Sequence, residues 1–245
     1  DDVGRVREKS GNITIPNIYV APEFAYSAEL GLQKYFNNRR FRIGGNVFYT
    51  LLDNYIQRDF VYAPDGSNLQ VAFDGEFGNA VSNQNKGRAY IIGFTSSYLG
   101  KISNRWNTSG FITYTKGRTY DTKEPLSSIP PLFGQFEVNY KIGKLELGAD
   151  YRFNSKKNIE DFNFTEGIDN HDLTPIIDSN ATNDELKYYG SPSWNTLGFN
   201  GRYKFNDTLS FQARIANLFD EHYIEFASGV SAPGRNISVS FLATF

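Results

Sequence analysis

Apolar and polar residues alternate with a period of two over long runs of this chain, which marks strands whose two faces meet different surroundings. In "FRIGGNVFYTL", Phe41, Ile43, Gly45, Val47, Tyr49 and Leu51 fall on one side and Arg42, Gly44, Asn46 and Thr50 on the other. "LFGQFEVNYKI" sets Leu132, Phe136, Val138, Tyr140 and Ile142 against Gln135, Glu137, Asn139 and Lys141. "LELGADYRF" separates Leu145, Leu147, Ala149, Tyr151 and Phe153 from Glu146, Asp150 and Arg152. "TLGFNGRYKF" and "LSFQARIANL" continue the rhythm through Leu197, Phe199, Tyr203, Phe205, Leu209, Phe211, Ala213 and Ile215, placing Arg202, Lys204 and Arg214 opposite. The last ten residues, "NISVSFLATF", keep it to the end with Ile237, Val239, Phe241, Ala243 and Phe245. Weaker examples are "SAELGLQKYF", "RAYIIGFTSSY" and "RWNTSGFITYT".

These make about nine segments, each near or above the roughly 9 to 11 residues that a tilted strand needs to cross a bilayer. Strands of soluble domains are nearer 5 or 6. Connections alternate as well. "NNRR", "GKISNR", "GK" at 143–144 and "NDT" at 206–208 are short, whereas 53–86, 116–130, 154–193 and 219–233 are long. Tight turns on one side and extended loops on the other are the habit of outer-membrane barrels. The expected fold is therefore all-β, an antiparallel transmembrane β-barrel. An odd antiparallel set that starts on one side and finishes on the other needs a parallel pairing to close. The nine strands are accordingly expected to form one arc of a larger barrel, with edges that lipid cannot hydrate. The competing reading is a soluble β-rich binding module of sandwich type.

Composition agrees with strands. Aromatic residues make up 16% of the chain, with 21 Phe and 16 Tyr, and only 21% is charged. No run approaches the roughly 18 apolar residues of a membrane helix, yet a barrel exposes only alternate residues to lipid and can keep a low mean hydropathy. The net charge of −2 gives no electrostatic case for nucleic acid as a partner. With no cysteine, thiolate metal sites, disulfides and thiol nucleophiles drop out together. The absence of methionine suggests a processed chain or a piece of something longer.

Four stretches resemble the TonB-dependent outer-membrane receptors. "PNIYVAPEFAYSAELGL" (16–32) is similar to the segment with an Asn-Pro-Asn-Leu-type box followed by Pro-Glu, and Asn17, Pro22 and Glu23 match while Ile18 replaces the box proline. "PLSSIPPLFGQFEVNY" and "FYTLLDNYIQRDF" also fit. The most specific stretch is 213–245, with Asn217, Leu218, Phe219, Asp220, Tyr223, Pro233, Gly234, Arg235 and the terminal Phe245. The resemblance implies that residues 1–245 form about the last nine strands of a barrel of about 22 strands, with the plug domain and the N-terminal strands absent. It also implies active import of a scarce, bulky ligand such as a ferric siderophore, cobalamin or a related chelate. The implied partners are outer-membrane lipid, the remainder of the receptor, the TonB–ExbB–ExbD complex through the missing N-terminal region, and the barrel-assembly machinery.

In that frame Ile237, Val239, Phe241, Ala243 and Phe245 resemble the C-terminal signal that the assembly machinery reads by strand addition. They also simply face lipid. Arg42, Gln135, Glu137, Asp150, Arg152, Arg202, Lys204 and Arg214 are expected to face the lumen and to touch plug or water. Asn217 and Asp220 suit capping of a turn, Pro233-Gly234 punctuates the last loop, and Arg235 is placed to pair with a carboxylate. Glu160, Asp161, Glu166, Asp169, His171, Asp172, Asp178, Asp184 and Glu185 crowd one loop, as either solvated carboxylates or a hard-cation site without the spacing of an EF-hand. Tyr188, Tyr189 and Trp194 line a vestibule or join the interface belt. The family's haem-uptake members carry a His in the segment corresponding to residues 1–17; this chain has none there, which disfavours haem, and no cofactor is expected. No nucleophile elbow or His-rich metal spacing points to an enzyme. A passive porin and an outer-membrane adhesin are the alternatives within the membrane class.

Overall fold

A computed structural model of the chain describes residues 6–7, 11–163, 190–228 and 230–244. Its strands are β1 (Val6–Arg7), β2 (Asn12–Thr14), β3 (Phe24–Phe36), β4 (Phe41–Asp53), β5 (Ile56–Phe60), β6 (Gln70–Phe73), β7 (Glu76–Asn85), β8 (Arg88–Lys101), β9 (Trp106–Thr119), β10 (Phe133–Ile142), β11 (Leu145–Asn154), β12 (Trp194–Lys204), β13 (Leu209–Ala216) and β14 (Asn236–Ala243). Nine of them form one continuous sheet in the order β14-β13-β12-β11-β10-β9-β8-β4-β3. Every pairing in it is antiparallel. The nine alternating segments of the sequence are these nine strands.

Period-two alternation fixes the register, because a slip by one residue would exchange the two faces. One side gathers rows such as Leu30–Val47–Phe94–Tyr114 and Val138–Ala149–Phe199–Ile215–Ile237. The other gathers Glu137–Asp150–Gly198 and Glu146–Arg202–Gln212–Ser240. Among the described residues none packs across the apolar side: Phe199 is 43% exposed and Phe241 70%. A soluble sandwich would bury both between two sheets. Aromatic rings fill the apolar side's gaps instead. Phe136 and Phe153 lie over Gly110 and Gly134 of the neighbouring strands, where an added Cβ would collide with the ring.

Short turns share one end of the sheet and long connections the other. At the short end, Asn37, Asn38 and Arg39 all take positive φ in a tight hairpin, and Gly143 at φ 56° does the same between β10 and β11. At the long end two sequence expectations need correcting. The connection read as a loop over 53–86 holds three strands, β5, β6 and β7, of a second sheet that also takes in β1 and β2, with β2 parallel to β7. The loop placed at 116–130 starts later, because β9 continues to Thr119.

Candidate functional site

The polar side of the large sheet curves around a depression of about 930 Å³ lined by residues of β9 to β14. Arg42, Gln135, Glu137, Asp150, Arg152, Arg202, Lys204 and Arg214, the residues expected to face a lumen, all project from this side by register. Glycines make room for them: a Cβ on Gly198 would stand 2.7 Å from the Asp150 carboxylate, and one on Gly148 would stand 2.7 Å from the Asn139 and Asn200 amides. Across the floor Gln135 Nε2 donates to Glu137 Oε1 at 2.5 Å, Lys141 Nζ to Glu146 Oε1 at 2.5 Å, and Arg214 Nη2 to Asp150 Oδ1 at 3.3 Å. Four cations, Lys141, Arg152, Arg202 and Arg214, meet three carboxylates, Glu137, Glu146 and Asp150. The floor therefore carries the two signs of charge in nearly equal number.

At the long-loop end the strand tips are tied together by the residues that carry the family resemblance. Asn217, at φ 50°, accepts the Glu221 N–H at 2.9 Å and donates to the Glu221 carbonyl at 2.8 Å and the Pro233 carbonyl at 3.5 Å. Asp220 Oδ1 accepts the Arg235 N–H at 2.6 Å, and the Arg235 guanidinium lies 3.9 Å from the same carboxylate. A Cβ on Gly234 would stand 2.7 Å from Asp220 Oδ1, which explains the glycine there. The Leu218 N–H reaches the Leu197 carbonyl at 2.8 Å, while the Phe219 side chain is exposed. Tyr223 is buried against Trp194, with ring centroids 4.3 Å apart, so Trp194 is a packing residue of this loop and not part of a belt. The upstream motif works likewise: Asn17 donates to the Asn83 carbonyl at 2.9 Å, the Pro22 carbonyl accepts from Asn54 at 3.2 Å, and Glu23 accepts the Ile56 N–H at 2.8 Å.

One cluster escaped the sequence reading. Tyr55, Ala89 and Leu126 form a small core on the polar side, backed by Leu52, Ile91 and Ile129. Beside it Asn163, 1% exposed, accepts from Gln57 Nε2 at 3.0 Å and donates to the Pro125 carbonyl at 2.6 Å. Lys86 pairs with Asp59, and Arg118 with Asp161 at 2.5 Å. Three separate connections are thereby locked into one rim. Burial, with Glu124 and Asp59 nearby, pushes the Tyr55 phenol up to about 12. In the sequence this rim shows only through "FYTLLDNYIQRDF", which carries the family resemblance and no alternation, and Asn163 lies in no periodic run.

Among the described residues no group of His, Asp and Glu is arranged to hold a metal ion. Glu166, Asp169, His171, Asp172, Asp178, Asp184, Glu185, Tyr188 and Tyr189 lie outside the described residues, as does Phe245. Ile237, Val239, Phe241 and Ala243 all project from the apolar side, opposite Ile215, Ala213, Phe211 and Leu209.

A sheet of this length, apolar outside and polar within, with its loops sorted by end, is the wall of a membrane-spanning barrel. Residues 6–218 match the family of TonB dependent receptor-like β-barrels, and the chain belongs to that family. Its members are outer-membrane receptors and transporters, not enzymes. Among curated proteins, the probable TonB-dependent siderophore receptor PirA of Acinetobacter baumannii is 28% identical over 174 residues, 68% of this chain and 22% of PirA. Among solved structures, the PirA siderophore receptor matches with a TM-score of 0.67 at 22% identity, over 95% of this chain and 33% of that one. The copper transporter OprC matches at 0.65 and 17%, over 92% and 32%. The pyoverdine receptor FpvA of Pseudomonas aeruginosa matches at 0.64 and 17%, over 92% and 30%. The chain thus spans about a fifth to a third of the length of these relatives.

Proposed function

We propose that residues 1–245 form the C-terminal strands of a TonB-dependent receptor in a bacterial outer membrane, which imports a scarce, bulky ligand with energy drawn from a TonB–ExbB–ExbD complex. The observation that carries this reading is the two-faced sheet: spanning-length strands bare and apolar on one side, with a nearly charge-balanced polar depression on the other. A plug of polar protein surface, or water, satisfies that inner side, and hydrocarbon satisfies the outer one. The remaining strands of a barrel of about 22 would cover the free edges of β3 and β14. Strand addition at β14 by the barrel-assembly machinery fits its alternating Ile237, Val239, Phe241 and Ala243.

The siderophore receptors PirA and FpvA support a ferric chelate as the ligand class, with cobalamin or another bulky chelate as a narrower second choice. A passive porin would lack a plug and conduct ions constitutively. An adhesin would bind a macromolecule and transport nothing. Uptake of radiolabelled ferric siderophores by cells that carry the full-length receptor as their only such transporter tests the proposal. Accumulation abolished by a protonophore or by loss of TonB is expected. Protonophore-insensitive uptake together with steady ion conductance in planar bilayers would establish the porin instead.

A further inference from the structure

Charge is divided between the two ends of the wall. Within three residues of the four short turns, at 34–43, 99–108, 140–147 and 202–211, stand ten basic residues and only two acidic ones, Glu146 and Asp207. The rest of the chain keeps 15 of the 25 basic residues and 25 of the 27 acidic ones. The short-turn end is therefore basic, although the chain as a whole carries a net charge of only −2. Lys34, Arg39, Arg40 and Arg42 surround the first turn, Lys101 and Arg105 the second, Lys141 and Lys144 the third, and Arg202 and Lys204 the fourth.

Little of this charge is neutralised among the described residues. Lys141 pairs with Glu146 at 2.5 Å, and it alone of the ten makes an ion pair there. Arg202 and Lys204 also lie in the field of Glu146, so one carboxylate serves three cations. Arg40 donates to the Ile102 carbonyl at 3.4 Å and Lys144 to the Phe205 carbonyl at 2.5 Å, contacts that tie neighbouring turns together and leave the charges standing. Arg42 and Arg202 each bury an Nε–H that has no acceptor among the described residues. A guanidinium in that state offers its Nε and Nη edge to a carboxylate, which accepts both bonds at once.

Parity decides where the partner lies. Arg42, Lys101, Lys141, Arg202 and Lys204 stand on the polar side of their strands, and among the strand residues of this set only Lys34 stands on the apolar side. Lipid phosphates meet the apolar side and do not reach an inward lip. The counter-charge therefore comes from within the lumen. There the depression is divided by height: toward the long connections Arg152 and Arg214 stand with Glu137 and Asp150, whereas toward the short turns Lys141 and Arg202 stand with Glu146 alone. The chain spans only a fifth to a third of the length of its relatives, which leaves ample polypeptide to fill this space.

We infer that the inner lip of the short-turn end binds a carboxylate-bearing segment of the receptor's own polypeptide, N-terminal to residue 1, with Arg42 and Arg202 each clasping a carboxylate and Lys101 and Lys204 beside them. The inference rests on the receptor reading above and adds the sign and the place of the contact. The test treats purified full-length receptor in neutral detergent with a zero-length carbodiimide, which joins a lysine amine to a carboxylate only where the two already touch. Mass spectrometry of the digest is expected to show Lys101 and Lys204 joined to Asp or Glu residues N-terminal to residue 1. Hydrogen–deuterium exchange of the joined segment should be at least about 10-fold faster in the Arg42→Gln, Arg202→Gln double variant, as the loss of charge-assisted bonds requires. A heat-dependent electrophoretic shift shows that the variant folds. Links confined to Glu146 and Asp207, links only between separate receptor molecules, no links at all, or unchanged exchange in the folded double variant would overturn the inference. Steady ion conductance through the unmodified receptor would strike the receptor reading itself, whereas missing links in a closed, non-conducting receptor strike this inference alone.

Discussion

Gly110→Ala measures how tightly the outward aromatic layer is keyed to the backbone. Gly110 lies on β9 beneath the Phe136 ring, on the side that meets lipid. An added Cβ would stand 2.7 Å from Tyr98 Cε1 and 2.9 Å from the Gln135 carbonyl oxygen, with Phe136 Cδ1 nearer still. The tyrosine contact is about 0.8 Å inside the ~3.5 Å at which carbon atoms meet favourably. The rings can rotate away, but Gln135 is backbone of the paired strand and cannot. Overpacking of this kind costs about 1–3 kcal/mol. At about 2 kcal/mol the ratio of folded to unfolded receptor falls roughly 30-fold. Gly201→Ala is the control, because its Cβ would meet Leu147 Cδ2 at 3.4 Å and the Glu146 carbonyl at 4.0 Å, ordinary contacts on the same side. Urea unfolding of the full-length receptor in lipid vesicles, followed by tryptophan fluorescence, reads both. Midpoints that coincide for the two variants would refute the keyed-ring account.

Further outcomes follow from the same geometry. Phe199→Arg places a charge in hydrocarbon and should destabilise the folded barrel by about 2–4 kcal/mol in vesicle unfolding, while the adjacent Asn200→Arg, on the polar side, should leave it within about 1 kcal/mol. Asn217→Ala removes the clamp on the β13–β14 loop and leaves an alanine at positive φ; a loss of about 2–3 kcal/mol is expected in the same assay, with the Trp194 emission changing first. The Tyr55 phenol, raised by burial, contributes stability that is complete below pH 10 and is lost as pH rises toward about 12. Limited proteolysis of the 54–87 connection should therefore accelerate through that window, and Tyr55→Phe should flatten the dependence.

The wall of the barrel was legible because lipid and water make opposite demands on neighbouring residues. Phe199 and Asn200, or Val239 and Ser240, announce their sides by type alone, and backbone pairing then follows from parity. Sorting of the connections by length was equally plain, since Gly143 and the Asn37–Arg40 hairpin admit only tight turns. The rim was not legible. β5 is 5 residues and β6 is 4, too short to show periodicity beyond doubt, and they are held by pairings with β7 that only the folded chain creates. Asn163 joins Gln57 across 106 positions of sequence, a contact no local pattern encodes. Of the two places read for Trp194, vestibule or belt, the belt drops out because Tyr223 covers the indole, a contact that no local pattern encodes.

Parity along the strands has a consequence for how such a chain can change over generations. Deleting or inserting one residue inside any of the nine strands would turn every side chain beyond it inside out, moving arginines into oil and phenylalanines toward water. The same edit in the connection after β4, β9, β11 or β13 leaves that order intact. Length variation among descendants of this sequence is therefore channelled to one end of the molecule, the end of the long connections, while the opposite end and the staves between them keep their residue count.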